Sequence, residues 1–150
     1  MSMPRVARLA GIAALLLASS GCELTPQRWG PVTSTYDGKV RVEGSGTFFN
    51  DGNTHAANRM RITDRRADGN NVYGRTTFLV WRYSTSHGRD TWVTDQRRST
   101  SEWSGGTHTQ TVRTDLDSKG SRYRGNAEAC AQLGWPVPDS CSSAYPTFNY

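Results

Sequence analysis

Residues 58–83, NRMRITDRRADGNNVYGRTTFLVWRY, decide the fold. In the first arm Asn58, Met60, Ile62 and Asp64 alternate with Arg59, Arg61, Thr63 and Arg65. A period of two puts the first set on one side of an extended chain and the arginines on the other, which is the pattern of a half-buried strand. Ala67-Asp68-Gly69-Asn70-Asn71 then concentrates residues that tolerate turn conformations. The run 72–83 returns from it as the second arm of a hairpin. Its two faces carry Val72, Thr76, Phe78 and Val80 against Tyr73, Leu79, Trp81 and Tyr83. Apolar residues on both sides predict a central strand covered on both faces.

The same pattern extends outward. From Tyr36 onward no window sustains the i, i+3, i+4, i+7 apolar spacing of a helix. Val40 and Val42 alternate with Lys39, Arg41 and Glu43, and Gly44-Ser45-Gly46 before Phe48-Phe49 signals a bend or bulge. Weaker strands are expected over 90–101, 107–116 and 122–129, separated by the turns at Ser104-Gly105-Gly106 and 117–120. Short strands at near-regular spacing predict an all-β domain over 36–150: an antiparallel β-sandwich or small barrel of about six to eight strands. Residues 22–35 hold two prolines and no periodicity and are expected to form a tether, with Trp29 docking back on the domain. The closing aromatics Tyr145, Phe148 and Tyr150 predict a tail that packs down.

Ahead of the tether, Arg5 and Arg8 precede an apolar run at 9–18 and the small residues Ser19, Ser20 and Gly21. That run is too short to span a bilayer, and residues 1–21 form a cleaved N-terminal signal helix on this pattern. Gly21-Cys22 resembles the lipobox of bacterial lipoproteins, although Ser19 stands where that family usually has leucine. The resemblance implies lipid on Cys22 and a membrane anchor on the outer face of the cell membrane. The alternative is an A-x-A-like site formed by Ala18 and Ser20, with cleavage before Gly21 and secretion. The three cysteines bear on the choice. Cys130 and Cys141 lie close enough in sequence to form a disulfide, so Cys22 is left over, and lipidation would dispose of its thiol.

Removing 1–21 takes Arg5 and Arg8 away, which lowers the basic count from 18 to 16 against 13 acids, a mature charge of +3. That is too weak a balance for a nucleic-acid partner. No second apolar run approaches membrane length, and a soluble, monomeric domain is expected.

Asp64-x-x-Ala67-Asp68-Gly69 and Cys130…Pro138-Asp139-Ser140-Cys141-Ser142 together resemble a loose group of small exported β-sandwich proteins from high-GC Gram-positive bacteria. The resemblance implies the sandwich fold and no assigned activity, and it carries over no functional residues.

Candidate residues follow from chemistry. Arginines at 59, 61, 65, 66, 75, 82, 97, 98, 113, 122 and 124 would form a basic face interleaved with Trp81, Tyr83 and Trp92 if neighbouring strands align them. Such a face suits an anionic cell-wall polymer or an acidic envelope protein, and Arg59 and Arg61 are its candidate residues. Charge runs on strands are more often a solvated surface with cross-strand Arg–acid pairs. Of five tryptophans, Trp81 and Trp92 are expected in the core, and Trp103 and Trp135 are the candidate binding residues. His55, His87 and His108 show no metal-ligand spacing, so no metal and no cofactor is expected. No G-x-S-x-G elbow or Cys–His pair is present; Glu43, Asp51, Asp64, Asp95 and Glu102 would make a carbohydrate-active hydrolase only if folding paired two of them. The expected function is therefore a binding module of the cell envelope rather than an enzyme. The alternatives are an inhibitor of an envelope hydrolase or a phage-exclusion lipoprotein.

Overall fold

The computed structural model describes residues 26–150; the expected signal segment 1–21 and Cys22 lie outside the described residues. Among the described residues nine strands occur: β1 (Gln27–Tyr36), β2 (Lys39–Asp51), β3 (His55–Asp64), β4 (Val72–Ser84), β5 (Arg89–Ser99), β6 (Thr107–Asp115), β7 (Arg122–Ala131), β8 (Ser140–Ala144) and β9 (Thr147–Asn149). One sheet has the order β1-β2-β3-β6; the other has β5-β4-β7-β8, with β9 also pairing β7. Every pairing is antiparallel. Two open sheets facing each other make a β-sandwich, not a closed barrel.

Two expectations need correction. The count exceeds six to eight partly because β1 lies inside the expected tether: from Gln27 onward the segment 22–35 is strand, not linker. Edge strands tolerate proline because one side of their backbone makes no ladder bonds. Here Pro31 sits at a register shift between Trp29 and Val32. The second correction concerns 58–83. Its two arms do not pair: β3 is bonded to β2 and β6, whereas β4 is bonded to β5 and β7. The turn at 65–71 carries the chain from one sheet to the other. Local bonds hold it: Arg65 N–H donates to the Arg41 carbonyl at 2.9 Å, Arg66 N–H to Asp64 Oδ1 at 2.8 Å and Asn70 N–H to Asp68 Oδ1 at 3.1 Å, and Arg41 pairs with Asp68.

The alternation in β3 is as expected: Asn58, Met60 and Ile62 are fully buried and Arg59 and Arg61 exposed. Across the interface, the buried face of β4 supplies Val72, Thr76, Phe78 and Val80. The apolar centre is completed by Val42, Phe48, Tyr123 and Phe148, with Phe48 5.8 Å from Phe78 and 5.1 Å from Phe148 between ring centroids. Burying a side chain of this size is worth about 1.5–3 kcal/mol. The sheets approach closely enough that glycine is required: a Cβ on Gly44 would stand 2.5 Å from that of Ala129.

On the β5–β6 side the sandwich is closed by polar bonds. Thr114 donates to Asp95 Oδ2 at 3.0 Å, and the Tyr123 hydroxyl lies 3.1 Å from the same oxygen. That hydroxyl also accepts the Asp117 N–H at 3.0 Å. Burial raises the Tyr123 phenol well above its ordinary value, with the neighbouring Asp95 carboxylate adding to the shift.

Candidate binding surfaces

Three exposed regions collect the residues that chemistry singled out. The first is the loop between β7 and β8. Cys130 and Cys141 face each other across these strands and are joined as a disulfide, so the loop leaves and re-enters the sheet at a covalent staple. Within it Gly134 adopts φ +79°, a conformation that disfavours side chains, and Val137 N–H closes a turn on the Gly134 carbonyl at 2.9 Å. Gln132 N–H donates to the Asn71 carbonyl at 2.9 Å and ties the loop to the turn that connects the sheets. Trp135 projects from this frame 96% exposed, beside a groove of about 380 Å³ lined by Asn70, Asn71, Gln132 and Asp139.

The floor behind the loop is rigidly bonded. The Tyr73 hydroxyl donates to Asp139 Oδ2 at 2.6 Å. Burial, reinforced by that hydrogen bond, pushes the Tyr73 phenol up to about 12. Next to it Arg75 forms a two-bond fork with Glu128, at 2.7 and 3.2 Å, directly across β4 and β7.

The second region is the outer face of the β1-β2-β3-β6 sheet. Arg59 stands between Thr47 and Thr111, and Arg61 between Ser45 and Thr109. Gly46, Thr47, Arg59, Arg61 and Thr109 line a shallow depression of about 280 Å³. The structure thus brings the two arginine candidates together. Their neighbours Arg65 and Arg113 are committed instead to Glu43 at 2.7 Å and Asp51 at 2.8 Å.

The third is the outer face of the other sheet, and it corrects the assignment of Trp81 and Trp92 to the core. Both are half-buried and outward-facing, paired across β4 and β5 with ring centroids 5.4 Å apart in an edge arrangement. β4 is central, but its second face is not covered: Tyr83 is 57% exposed. The guanidinium carbon of Arg122 lies 4.6 Å from the Trp81 ring centroid and 5.6 Å from that of Trp92; that of Arg124 lies 4.3 Å from Trp92. The sequence shows these residue types, but the alignment depends on strand order, which places β7 rather than β3 beside β4.

Trp103 lies elsewhere. It bridges to Val72, packs half-buried against the core and meets the His108 ring in a tilted contact, 4.6 Å between centroids, so it is a lid on a sheet end rather than a free surface. Among the described residues no group of three His, Cys, Asp or Glu is placed to hold a metal ion. Glu43 and Asp51 are ion-paired, Asp64 caps the Gly105 and Arg66 amides, and Asp95 serves the sheet edge. No family model and no curated protein matches this chain.

Proposed function

We infer that this chain is an exported binding module, anchored by lipid on Cys22 at the outer face of the cell membrane, that engages an envelope component through the loop around Trp135. The observation that carries this reading is an indole left 96% exposed on a segment pinned by a disulfide and backbone bonds. An exposed large aromatic on a fixed frame loses little conformational entropy when it is buried against a partner, which is how interface anchors gain their energy. Gly21-Cys22 and the leftover cysteine support the lipid anchor. If the alternative cleavage before Gly21 operates, the same module is released. The mass of the mature N-terminus separates the two.

A projecting, stapled loop also favours a second reading, the inhibitor of an envelope hydrolase, with Trp135 entering the enzyme's cleft. It requires one protein partner in a tight 1:1 complex, whereas a polymer ligand gives weak, salt-sensitive retention.

Trp135→Ala tests the shared claim. Because the side chain touches so little of the domain, its removal changes stability by no more than about 0.5 kcal/mol. Retention of the protein on envelope material from the producing cells should fall about tenfold or more, the loss of a central interface anchor. Unchanged retention, or equal loss of stability and retention, returns Trp135 to a structural role.

A further inference from the structure

The indole–guanidinium cluster on β4, β5 and β7 has an unusual charge balance. Arg122 and Arg124 are two residues apart on β7 and project from the same face, about 7 Å from each other along the strand. Arg97, on β5 two strands away, lies on that face too and donates from Nε to Thr77 at 3.3 Å. Arg124 donates to Thr147 at 3.4 Å. Among the described residues none of the three forms an ion pair, although Arg75, Arg82 and Arg113 on the same domain each have one. The carboxylates of this face do not answer them: Glu128 is taken by Arg75, Asp139 by Tyr73, and Asp90 lies beyond Trp92 opposite Tyr83.

Stacking on an indole uses the flat face of a guanidinium and leaves its N–H edges pointing outward. It also fixes the group, so less entropy is lost when an anion is bound. Arg97, held by Thr77 rather than by an indole, lies two strands across and two to four residues along from this pair, so the three charges span about 12–17 Å, beyond the reach of one phosphate or carboxylate. They match a chain that repeats its charge. The tryptophans lie half-buried beside the arginines instead of projecting, which is the wrong shape for insertion into a lipid interface. Tyr83, 57% exposed at the end of the row, offers a ring face of the kind on which a sugar stacks.

We propose that the outer face of the β5-β4-β7-β8 sheet binds a linear anionic polysaccharide, with Arg122, Arg124 and Arg97 taking its charged groups edge-on. This surface is separate from the Trp135 loop: Tyr73, beside that loop, and Trp81 are eight residues apart on β4, about 26 Å. The two readings therefore stand or fall independently.

The test is a titration of the full chain with polygalacturonate, followed by tryptophan fluorescence at low ionic strength, with neutral dextran and oligothymidylate as comparison polymers. Polygalacturonate should bind and perturb the fluorescence, dextran should not, and affinity should fall steeply with added salt. The double variant Arg122→Gln/Arg124→Gln should lose about tenfold in affinity, and Arg97→Gln, which changes an exposed residue, about threefold. If the double glutamine variant fails to fold, Arg122→Lys/Arg124→Lys keeps the charge and stems and should weaken binding by a smaller factor. Arg28→Gln/Lys39→Gln removes the same charge from exposed positions of the opposite sheet and should leave affinity within about twofold. Equal loss in the opposite-face variant, absence of polygalacturonate binding, or tighter binding of oligothymidylate would each overturn the proposal.

Discussion

The Trp29 indole donates its Nε1–H to Oδ1 of Asn58 at 2.8 Å, inside the sandwich. Asn58 in turn donates from Nδ2 to the Thr76 hydroxyl at 2.9 Å, and that hydroxyl meets the Met60 sulfur at 3.5 Å. A chain of polar contacts thus runs from β1 through β3 to β4 and crosses from one sheet to the other. Gly46 makes room for it: a Cβ there would stand 2.8 Å from the Trp29 nitrogen. In a dry interior each of these groups costs more unpaired than its bond contributes when made.

Asn58→Leu keeps the branched heavy-atom skeleton and removes both bonds, leaving the Trp29 N–H buried without its acceptor. The loss should be about 3 kcal/mol in urea unfolding, well above an ordinary surface change. A loss below about 0.5 kcal/mol would mean that the network contributes nothing net to stability.

This network marks where the sequence stopped being informative. The inward set Asn58, Met60 and Ile62 was legible because strand alternation needs only a period of two. Trp29 was legible as a residue that docks, but not as part of β1, because Gly30 and Pro31 break the alternation that announces a strand. The turn at 67–71 is legible as a turn but not as a crossing between sheets, since Asp-Gly chemistry specifies a reversal of direction and says nothing about which sheet the chain rejoins. The Trp135 loop was readable from the cysteines and prolines around it. The Trp81–Arg122 stack was not, because it exists only once β7 pairs with β4, 41 residues apart at that contact.

Gly44 tests how tightly the sheets meet. Its added methyl in Gly44→Ala would collide with Ala129, and overpacking of this kind costs about 1–3 kcal/mol. Ala129→Gly removes the opposing methyl. The double variant should be more stable than the sum of the single losses predicts, by about 1 kcal/mol in a double-mutant cycle. Strict additivity would show that the two sites do not touch.

Tyr73 sets a limit at high pH. Its phenol, pushed up to about 12 by burial and Asp139, ionises at 10 in the unfolded chain. The unfolded state therefore releases its proton first as pH rises. The stabilisation is complete below pH 10 and is lost between 10 and about 12. Tyr73→Phe loses the bond to Asp139, about 1 kcal/mol at neutral pH, and should flatten the decline in this window. Denaturation midpoints measured across it check the sign; an identical slope in the variant would place the titration elsewhere.

The C-terminal tail provides a last contrast between two aromatic residues three positions apart. Phe148 on β9 is 5% exposed and packs on Phe48 at 5.1 Å and Tyr123 at 6.1 Å, whereas Tyr145 is 63% exposed. Phe148→Ala opens a cavity beneath β9 and should cost about 3–5 kcal/mol. Tyr145→Ala should stay within about 0.5 kcal/mol. The β9 ladder holds Phe148 in place, with Tyr123 opposite Phe148 and Tyr150 N–H donating to the Ser121 carbonyl at 3.1 Å. If thermal unfolding showed equal, small shifts for both variants, the tail would not belong to the core, and the aromatic cluster around Phe48 would have to be stable without it.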